Sequence, residues 1–252
     1  RLTLSNCGIS SIASLSHMNQ LVYLDLSKNT IRNLSVIADM QELEELYLNN
    51  NAVIDLTDLA TLTKLKVLDV SYNSLKSVNP IHSATTLTYL DFSHNNVSQI
   101  ETLSSLNSLV ELHAGHNIIS DISSISSCIE LEVLNISNNT VSDISCLSNL
   151  EKIRNLDFSY NQVQTLPQFK KSSPLVSIDG SYNQIKDLKA LSSLSNLNVV
   201  LMDYNENLSS LEPLDSCVRL VKVNAYGTKV SEVRFLTDKS IVVNYNPAND
   251  KT

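Results

Sequence analysis

The chain repeats itself every 22 residues. LVYLDLSKNTIRNL (21–34) returns as LEELYLNNNAVIDL (43–56), LKVLDVSYNSLKSV (65–78), LTYLDFSHNNVSQI (87–100), LVELHAGHNIISDI (109–122), LEVLNISNNTVSDI (131–144), IRNLDFSYNQVQTL (153–166) and LVSIDGSYNQIKDL (175–188). The pattern reads LxxLxLxxNxIxxLxxLxxLxx. A unit this short cannot bury its apolar side alone and must stack on its neighbours, so the period by itself dictates a solenoid. The phase runs to both ends. Leu2, Leu4, Ile9 and Ile12 are the tail of a repeat whose first residues are missing, and Leu197 to Leu211 is a repeat with one residue inserted around Asn205-Glu206-Asn207. Leu220 to Val233 follows with Thr228 in place of Asn. Ser240 to Tyr245 reads as a last edge strand, which Asn246-Pro247 stops. The expected organisation is one repeat solenoid over residues 1–239, then a terminal edge strand and the start of a linker over 240–252. A solenoid needs a cap over its terminal apolar layer, so Arg1, which opens inside a repeat, is expected not to be the natural N-terminus.

Within each unit LxLxx puts two apolar side chains on one face of a short strand, and the residue between them points the other way. The later apolar positions, such as Leu56, Leu59 and Leu62, recur every three residues. That spacing suits a 3₁₀ turn better than an α-helix. With strands stacked about 4.8 Å apart and bulkier connections behind them, the predicted fold is α/β: a right-handed horseshoe with a parallel concave sheet of about eleven strands, on the order of 50 Å long. The segment LPQFKKSSP (166–174) breaks the pattern, with Ser172 at an apolar position and proline at both ends, so an extended connection is expected there.

Asn stands at nine of eleven equivalent turns (Asn29, Asn51, Asn73, Asn95, Asn117, Asn139, Asn161, Asn183 and Asn205). A carboxamide both donates and accepts, so one inward Asn per turn can satisfy backbone groups of its own repeat and the next. These are structural asparagines. At the second strand core position Phe92 is followed by Ala114, and Phe158 by Gly180. A ring in one layer is expected to fill the space a small residue leaves in the next.

The net charge of −8 argues against a nucleic-acid partner, which would want a basic stripe. No apolar run reaches the roughly 18 residues of a membrane span. Of the four cysteines, Cys7 takes the place of the turn Asn, Cys128 and Cys217 share one apolar position, and Cys146 sits on a connecting segment, not equivalent to Cys128 in the adjacent repeat; all four read as buried or half-buried thiols without a disulfide framework. The four glycines form no phosphate loop. His94, His113 and His116 beside Asp91 are metal ligands in type, but nothing in the sequence orients them, and no metal or cofactor is assigned. Asp91, His113 and nearby serines lack the pocket and oxyanion donors that catalysis needs, so no catalytic residue is assigned either.

These motifs resemble the leucine-rich repeat family across essentially the whole chain. The 22-residue class is shared by bacterial internalin-like surface proteins and by the leucine-rich regulatory subunit of type-one protein phosphatase. The ending VSEVRFLTDKSIVVNYNPANDKT looks more like the bacterial secreted proteins. The resemblance implies a non-catalytic module that binds protein ligands on its concave strand face, in an extracellular or bacterial surface setting. The rival readings are a cytoplasmic regulatory scaffold of the phosphatase-subunit kind, or the recognition arm of an enzyme whose catalytic domain lies elsewhere.

If the strands form that face, its outward residues follow from the repeat. Between the two strand leucines stand Asp25, Tyr47, Asp69, Asp91, His113, Asp157 and Asp179; two residues earlier come Tyr23 and Tyr89; just before the Asn come Tyr72, His94, His116, Tyr160, Tyr182 and Tyr204. Eight of the nine tyrosines fall on this face or its edge, counting Tyr226. Tyr concentrates at interface hot spots because its ring buries area at low entropic cost. An acidic, Tyr-studded face predicts a protein ligand with a neutral or basic surface, or secondarily a glycan. LDxSxN is also a frequent form of the repeat, so the Asp series can equally serve the turn itself.

Overall fold

The computed structural model describes residues 1–246 and contains twelve short parallel strands among them. Contacts group the chain into two compact units: Arg1–Ile119 with Ser124–Leu131, and Ser120–Ser123 with the residues from Glu132 on. The first holds β1 (Leu2–Thr3), β2 (Tyr23–Asp25), β3 (Glu45–Tyr47), β4 (Val67–Asp69), β5 (Tyr89–Asp91) and β6 (Glu111–His113). The second holds β7 (Val133–Asn135), β8 (Asn155–Asp157), β9 (Ser177–Asp179), β10 (Val199–Leu201), β11 (Lys222–Ala225) and β12 (Val242–Tyr245). There are twelve because the eleven repeats give β1 to β11, the incomplete first one pairing Leu2 with Leu24 and Thr3 with Asp25, and the expected terminal edge strand adds β12.

In each unit every strand pairs with the next at equivalent positions, for instance Leu68 with Leu90 and Leu156 with Ile178. Register follows from burial. The central residue of each strand points into the core, and a slip by one would turn that column to solvent. Leu24, Leu46, Leu68, Leu90 and Leu112 are fully buried in the first unit, as are Ile178, Val200 and Val223 in the second. The inserted residue near Asn205 appears as a step of 23 between Val199 and Lys222, with Leu208 still fully buried.

Behind the strands the connections are single turns of 3₁₀ helix, such as Ser35–Asp39, Thr57–Leu59, Ser145–Asn149 and Lys189–Leu191. Only Arg234–Thr237 (α1) is α-helical among the described residues. The connection between β8 and β9 is extended, as its prolines require. Ser172 departs from expectation. A turn closed by the Ser173 N–H on the Lys170 carbonyl (2.9 Å) swings Ser172 out to solvent, and Ser173 is the buried residue.

The asparagine ladder bonds backbone groups of its own repeat and of the preceding one, where the sequence predicts the next. Asn117 Oδ1 accepts the Val97 N–H (2.9 Å), while Nδ2 donates to the carbonyls of Phe92, Ala114 and Gly115 (3.1, 3.2 and 3.2 Å). The equivalent bonds recur at Asn29, Asn51, Asn73, Asn95, Asn161, Asn183 and Asn205. Thr228 substitutes with one oxygen, donating to the Ala225 carbonyl (2.7 Å) and accepting from Val230 N–H (3.2 Å). Cys7 contradicts the expectation of buried or half-buried thiols. It is exposed, as Leu2, Leu4 and Ile9 of the same first repeat are only half-buried, because no repeat among the described residues packs before them; its Sγ contacts the Ser5 carbonyl (3.4 Å). Cys128 and Cys217 are buried, Cys146 is half-buried, and all four thiols are free. The edge strand expected at 240–245 is β12, parallel to β11. From Pro247 onward the predicted linker lies outside the described residues.

Candidate binding face

Between the strand and the ladder asparagine the backbone must turn sharply, and it does so through one residue in the left-handed region per repeat. Lys28, Asn50, Tyr72, His94, His116, Asn138, Tyr160, Tyr182 and Tyr204 have φ between 52° and 56°. Asn and His are enriched in this conformation and bulky residues are not. Yet four of these nine positions hold Tyr, and six in all, counting His94 and His116, carry an aromatic ring. Five of the six also donate their N–H to a carbonyl one repeat on: Tyr72 to Ser93, His94 to Gly115, Tyr160 to Ser181, Tyr182 to Asp203 and Tyr204 to Tyr226 (2.6–2.9 Å). Fixed φ and fixed spacing hold neighbouring rings about one strand apart, and they close into stacks.

In the first unit Tyr72, His94 and His116 stack with centroids 4.0 Å apart at 11° and 13°. In the second, Tyr160 and Tyr182 stack at 4.0 Å and 11°, Tyr182 and Tyr204 at 4.4 Å and 19°, and Tyr226 meets Tyr204 edge-on at 5.6 Å and 68°. Gly227 makes room for the last ring. A Cβ there would stand 2.7 Å from Tyr204 Cδ1, and its φ of +69° is itself a glycine conformation. Stacks of this kind are worth about 0.5–1.5 kcal/mol per pair beyond burial, comparable with the order of 1–3 kcal/mol that each strained backbone position costs. The rings remain open to solvent, with Tyr72 50%, Tyr160 47%, Tyr182 38% and Tyr204 41% exposed. Because stacking hides ring faces, the rows offer edges and hydroxyls.

The strand positions are a different environment. Asp25, Asp69, Asp91, Asp157 and Asp179 lie half-buried at strand ends, and each accepts the N–H of the serine two residues on through Oδ1 (2.8–3.0 Å). Asn135 does the same for Ser137 (2.9 Å). The Asp series therefore serves the turn, whatever else it does. Burial, partly offset by the Ser71 and Ser181 bonds, raises the Asp69 and Asp179 carboxyls above the usual range. Tyr89, half-buried between Asp91 and Asp69, is pushed up to about 12, first by desolvation and then by those charges. Tyr47 is raised likewise by burial and by Glu45, to which its hydroxyl donates (3.3 Å). Tyr23 lies 5.6 Å from Tyr47 and carries the Arg1 guanidinium 4.2 Å above its ring.

The histidines separate. His94 and His116 belong to the stack, whereas His113 sits against Tyr89 (5.5 Å) and 3.7 Å from Glu111. Among the described residues no group of three or more His, Cys, Asp or Glu is arranged to hold a metal ion. Among them also, no helix is long and apolar enough to cross a membrane. The left-handed conformation and the stacking were not foreseen from the sequence, although six aromatics recurring at the residue before the turn Asn were the available signal.

A family model described as "Leucine Rich repeats (2 copies)" matches residues 41–81, 85–127 and 129–171, together half of the chain. No curated protein matches the sequence. Solved structures share the fold. An internalin, InlF, from Listeria monocytogenes aligns with a TM-score of 0.81 at 19% identity, covering 99% of this chain and 85% of that one. The functional domain of InlJ from the same organism aligns with a TM-score of 0.91 at 20% identity, over 100% of this chain but 54% of its own, so this chain spans about half its length. The plant peptide hormone receptor RGFR1, in complex with RGF2, aligns with a TM-score of 0.73 at 20% identity over 93% and 45% of the two chains. Identities this low establish the fold alone.

Proposed function

Because this chain belongs to the leucine-rich repeat family, we propose that it is a non-catalytic binding module that holds a protein or peptide ligand on the strand face. The observation that carries this reading is the placement of four exposed tyrosine rings, Tyr72, Tyr160, Tyr182 and Tyr204, at backbone positions that disfavour them. The repeat imposes the left-handed turn but not a tyrosine in it, since Lys28, Asn50 and Asn138 serve the same position, so the recurrent choice of an exposed ring there points to function. Tyr rows of this kind supply rigid area and hydroxyls at low entropic cost. RGFR1, a structure with this fold, is in complex with RGF2, which supports a peptide or protein ligand here. The net charge of −8 and the carboxylates beside the rings favour a neutral or basic partner surface, with a glycan the second choice. The ligand-contacting set we assign is Tyr72, His94 and His116 in the first unit and Tyr160, Tyr182 and Tyr204 in the second, flanked by Tyr23, Tyr47, Tyr89 and the strand-end carboxylates.

The likeness to internalin repeats supports a secreted or surface-attached setting, which fractionation of the source cells with an antibody to the chain would test. The binding reading is tested by raising ligands from a displayed peptide or protein library against the intact chain. Tyr182→Ala should weaken them by about 2 kcal/mol or more, as loss of a hot-spot aromatic does, while the chain stays folded at a melting temperature lowered only by the two lost stacks. Lys189→Glu, in the 3₁₀ turn behind the strands, should leave affinity unchanged. Ligands that respond to Lys189→Glu and ignore the tyrosines would overturn the assignment.

A further inference from the structure

The second unit's tyrosine stack places three phenols in mutual contact at the surface. Tyr182 touches a parallel neighbour on each side, 4.0 Å from Tyr160 and 4.4 Å from Tyr204. Hydrogen bonding with the Tyr160 hydroxyl, ahead of burial and the Tyr204 contact, pushes the Tyr182 phenol up to about 12. The groups that would normally absorb an oxidising equivalent first are scarce. The chain has no Trp, Met40 and Met202 are fully or almost fully buried, and burial raises the Cys128 and Cys217 thiols. Cys7 and Met18 are the exposed competitors among the sulfur side chains of the described residues.

We propose that Tyr160, Tyr182 and Tyr204 form an oxidative cross-linking site, at which a peroxide-driven one-electron oxidant joins neighbouring phenols as dityrosine and staples successive repeats together. Each of two adjacent phenols gives up one electron and one proton. Hydrogen peroxide, acting through a haem peroxidase, takes both electrons and both protons and leaves as two waters. The phenoxyl radicals, whose unpaired spin reaches the ring carbons ortho to oxygen, couple there through a new carbon–carbon bond. The hydrogens on those two carbons then shift to the oxygens and restore the phenols. Two rings held in contact need no diffusive encounter, and such proximity raises effective concentration by orders of magnitude. The other tyrosine pairs with ring contacts are less favourably set: Tyr23 with Tyr47 at 5.6 Å and 49°, and Tyr204 with Tyr226 at 5.6 Å and 68°. The bond would close a loop of about one repeat and restrict the unfolded chain, so the oxidised protein should melt higher.

The test uses the whole chain, with Cys7 alkylated beforehand, treated with hydrogen peroxide and a haem peroxidase in a mixture of isotopically light and heavy protein. Trypsin separates the three rings into peptides 155–170, 172–186 and 190–219. The expected products are same-isotope conjugates of 172–186 with either neighbour, exceeding every other tyrosine pair by about tenfold or more, in line with the contact advantage. Tyr182→Phe, which keeps a ring in the stack and removes its phenol, should lose both conjugates and the gain in melting temperature. Mixed-isotope products in equal yield, coupling spread over Tyr23, Tyr47 and Tyr226, no dityrosine at all, or yields unchanged by Tyr182→Phe would each overturn the proposal.

Discussion

The ring of Phe158 occupies the space that a side chain at Gly180 would need. A Cβ on Gly180 would stand 2.7 Å from Phe158 Cζ and 3.0 Å from both Ile185 Cδ1 and Met202 Sδ. The layer closes because one repeat is large where the next is small, so Gly180→Leu should lower stability by roughly 1–3 kcal/mol through overpacking. Phe158→Ala alone should cost about 3–5 kcal/mol. Combined, the two should cost less than their sum, because the volumes then compensate. Denaturant unfolding of the four proteins checks this, and strict additivity would mean that the pair does not share its space in solution.

Asn117 bonds backbone groups of two repeats through both ends of its amide, whereas the neighbouring Asn96 points to solvent. Asn117→Ala leaves buried carbonyls and an N–H without partners, which should cost on the order of 1–3 kcal/mol. Asn96→Ala should change stability by only a few tenths of a kcal/mol, as surface substitutions usually do. Matched thermal melts give the comparison, and equal shifts would contradict the ladder's energetic role.

Most of the scaffold was legible because one residue type at one position carries one physical job. The ladder asparagines and the strand leucines repeat often enough to be read from period alone, the Phe158–Gly180 pairing was legible from residue size at one frame position, and the proline-flanked connection at 166–174 was legible from φ restriction. What escaped depended on geometry that no period encodes. Ser172 and Ser173 exchange roles because of a single turn hydrogen bond. The aromatic residues were recognised as a row, but their left-handed backbone and ring-to-ring contact follow from an N–H reaching the next repeat, which a sequence does not display. The Asp series was rightly open to two readings, since its bonds to the following serines occupy Oδ1 in every case given above.

The Tyr72, His94 and His116 stack should make stability sensitive to mild acid. Burial first, then the neighbouring His116 charge, lowers the His94 pKa, against the opposing pull of Asp91. The unfolded chain, with an ordinary value near about 6.5, then binds more protons than the fold. Stability from this group is full above that pH and falls as pH drops through about 6.5 toward the folded value. His94→Phe keeps a ring between Tyr72 and His116 and removes the titration, so its stability should fall less between neutral and mildly acidic pH. Chemical denaturation across that range measures the slopes, and parallel slopes for the two proteins would exclude His94 as the source.

The carboxylates of Asp157 and Asp179 can be stripped of charge without dismantling their turns, because the chain already contains the experiment. Asn135 accepts the Ser137 N–H and hydroxyl at 2.9 and 2.8 Å, as Asp157 accepts those of Ser159 at 2.9 and 2.7 Å. Asp157→Asn with Asp179→Asn should therefore keep the turns. Burial raises the Asp179 carboxyl, so its ionised form is disfavoured in the fold, and the Asn variant should be as stable at neutral pH or slightly more so. Ligand capture should respond differently. If the strand face receives a neutral or basic partner, losing two negative charges beside the tyrosine row should slow association and flatten its dependence on ionic strength, while dissociation changes less. Stopped-flow or surface-based kinetics at several salt concentrations separate the two rates. An unchanged association rate and salt slope, with Tyr182→Ala still damaging affinity, would assign recognition to the rings alone and leave the aspartates as turn residues.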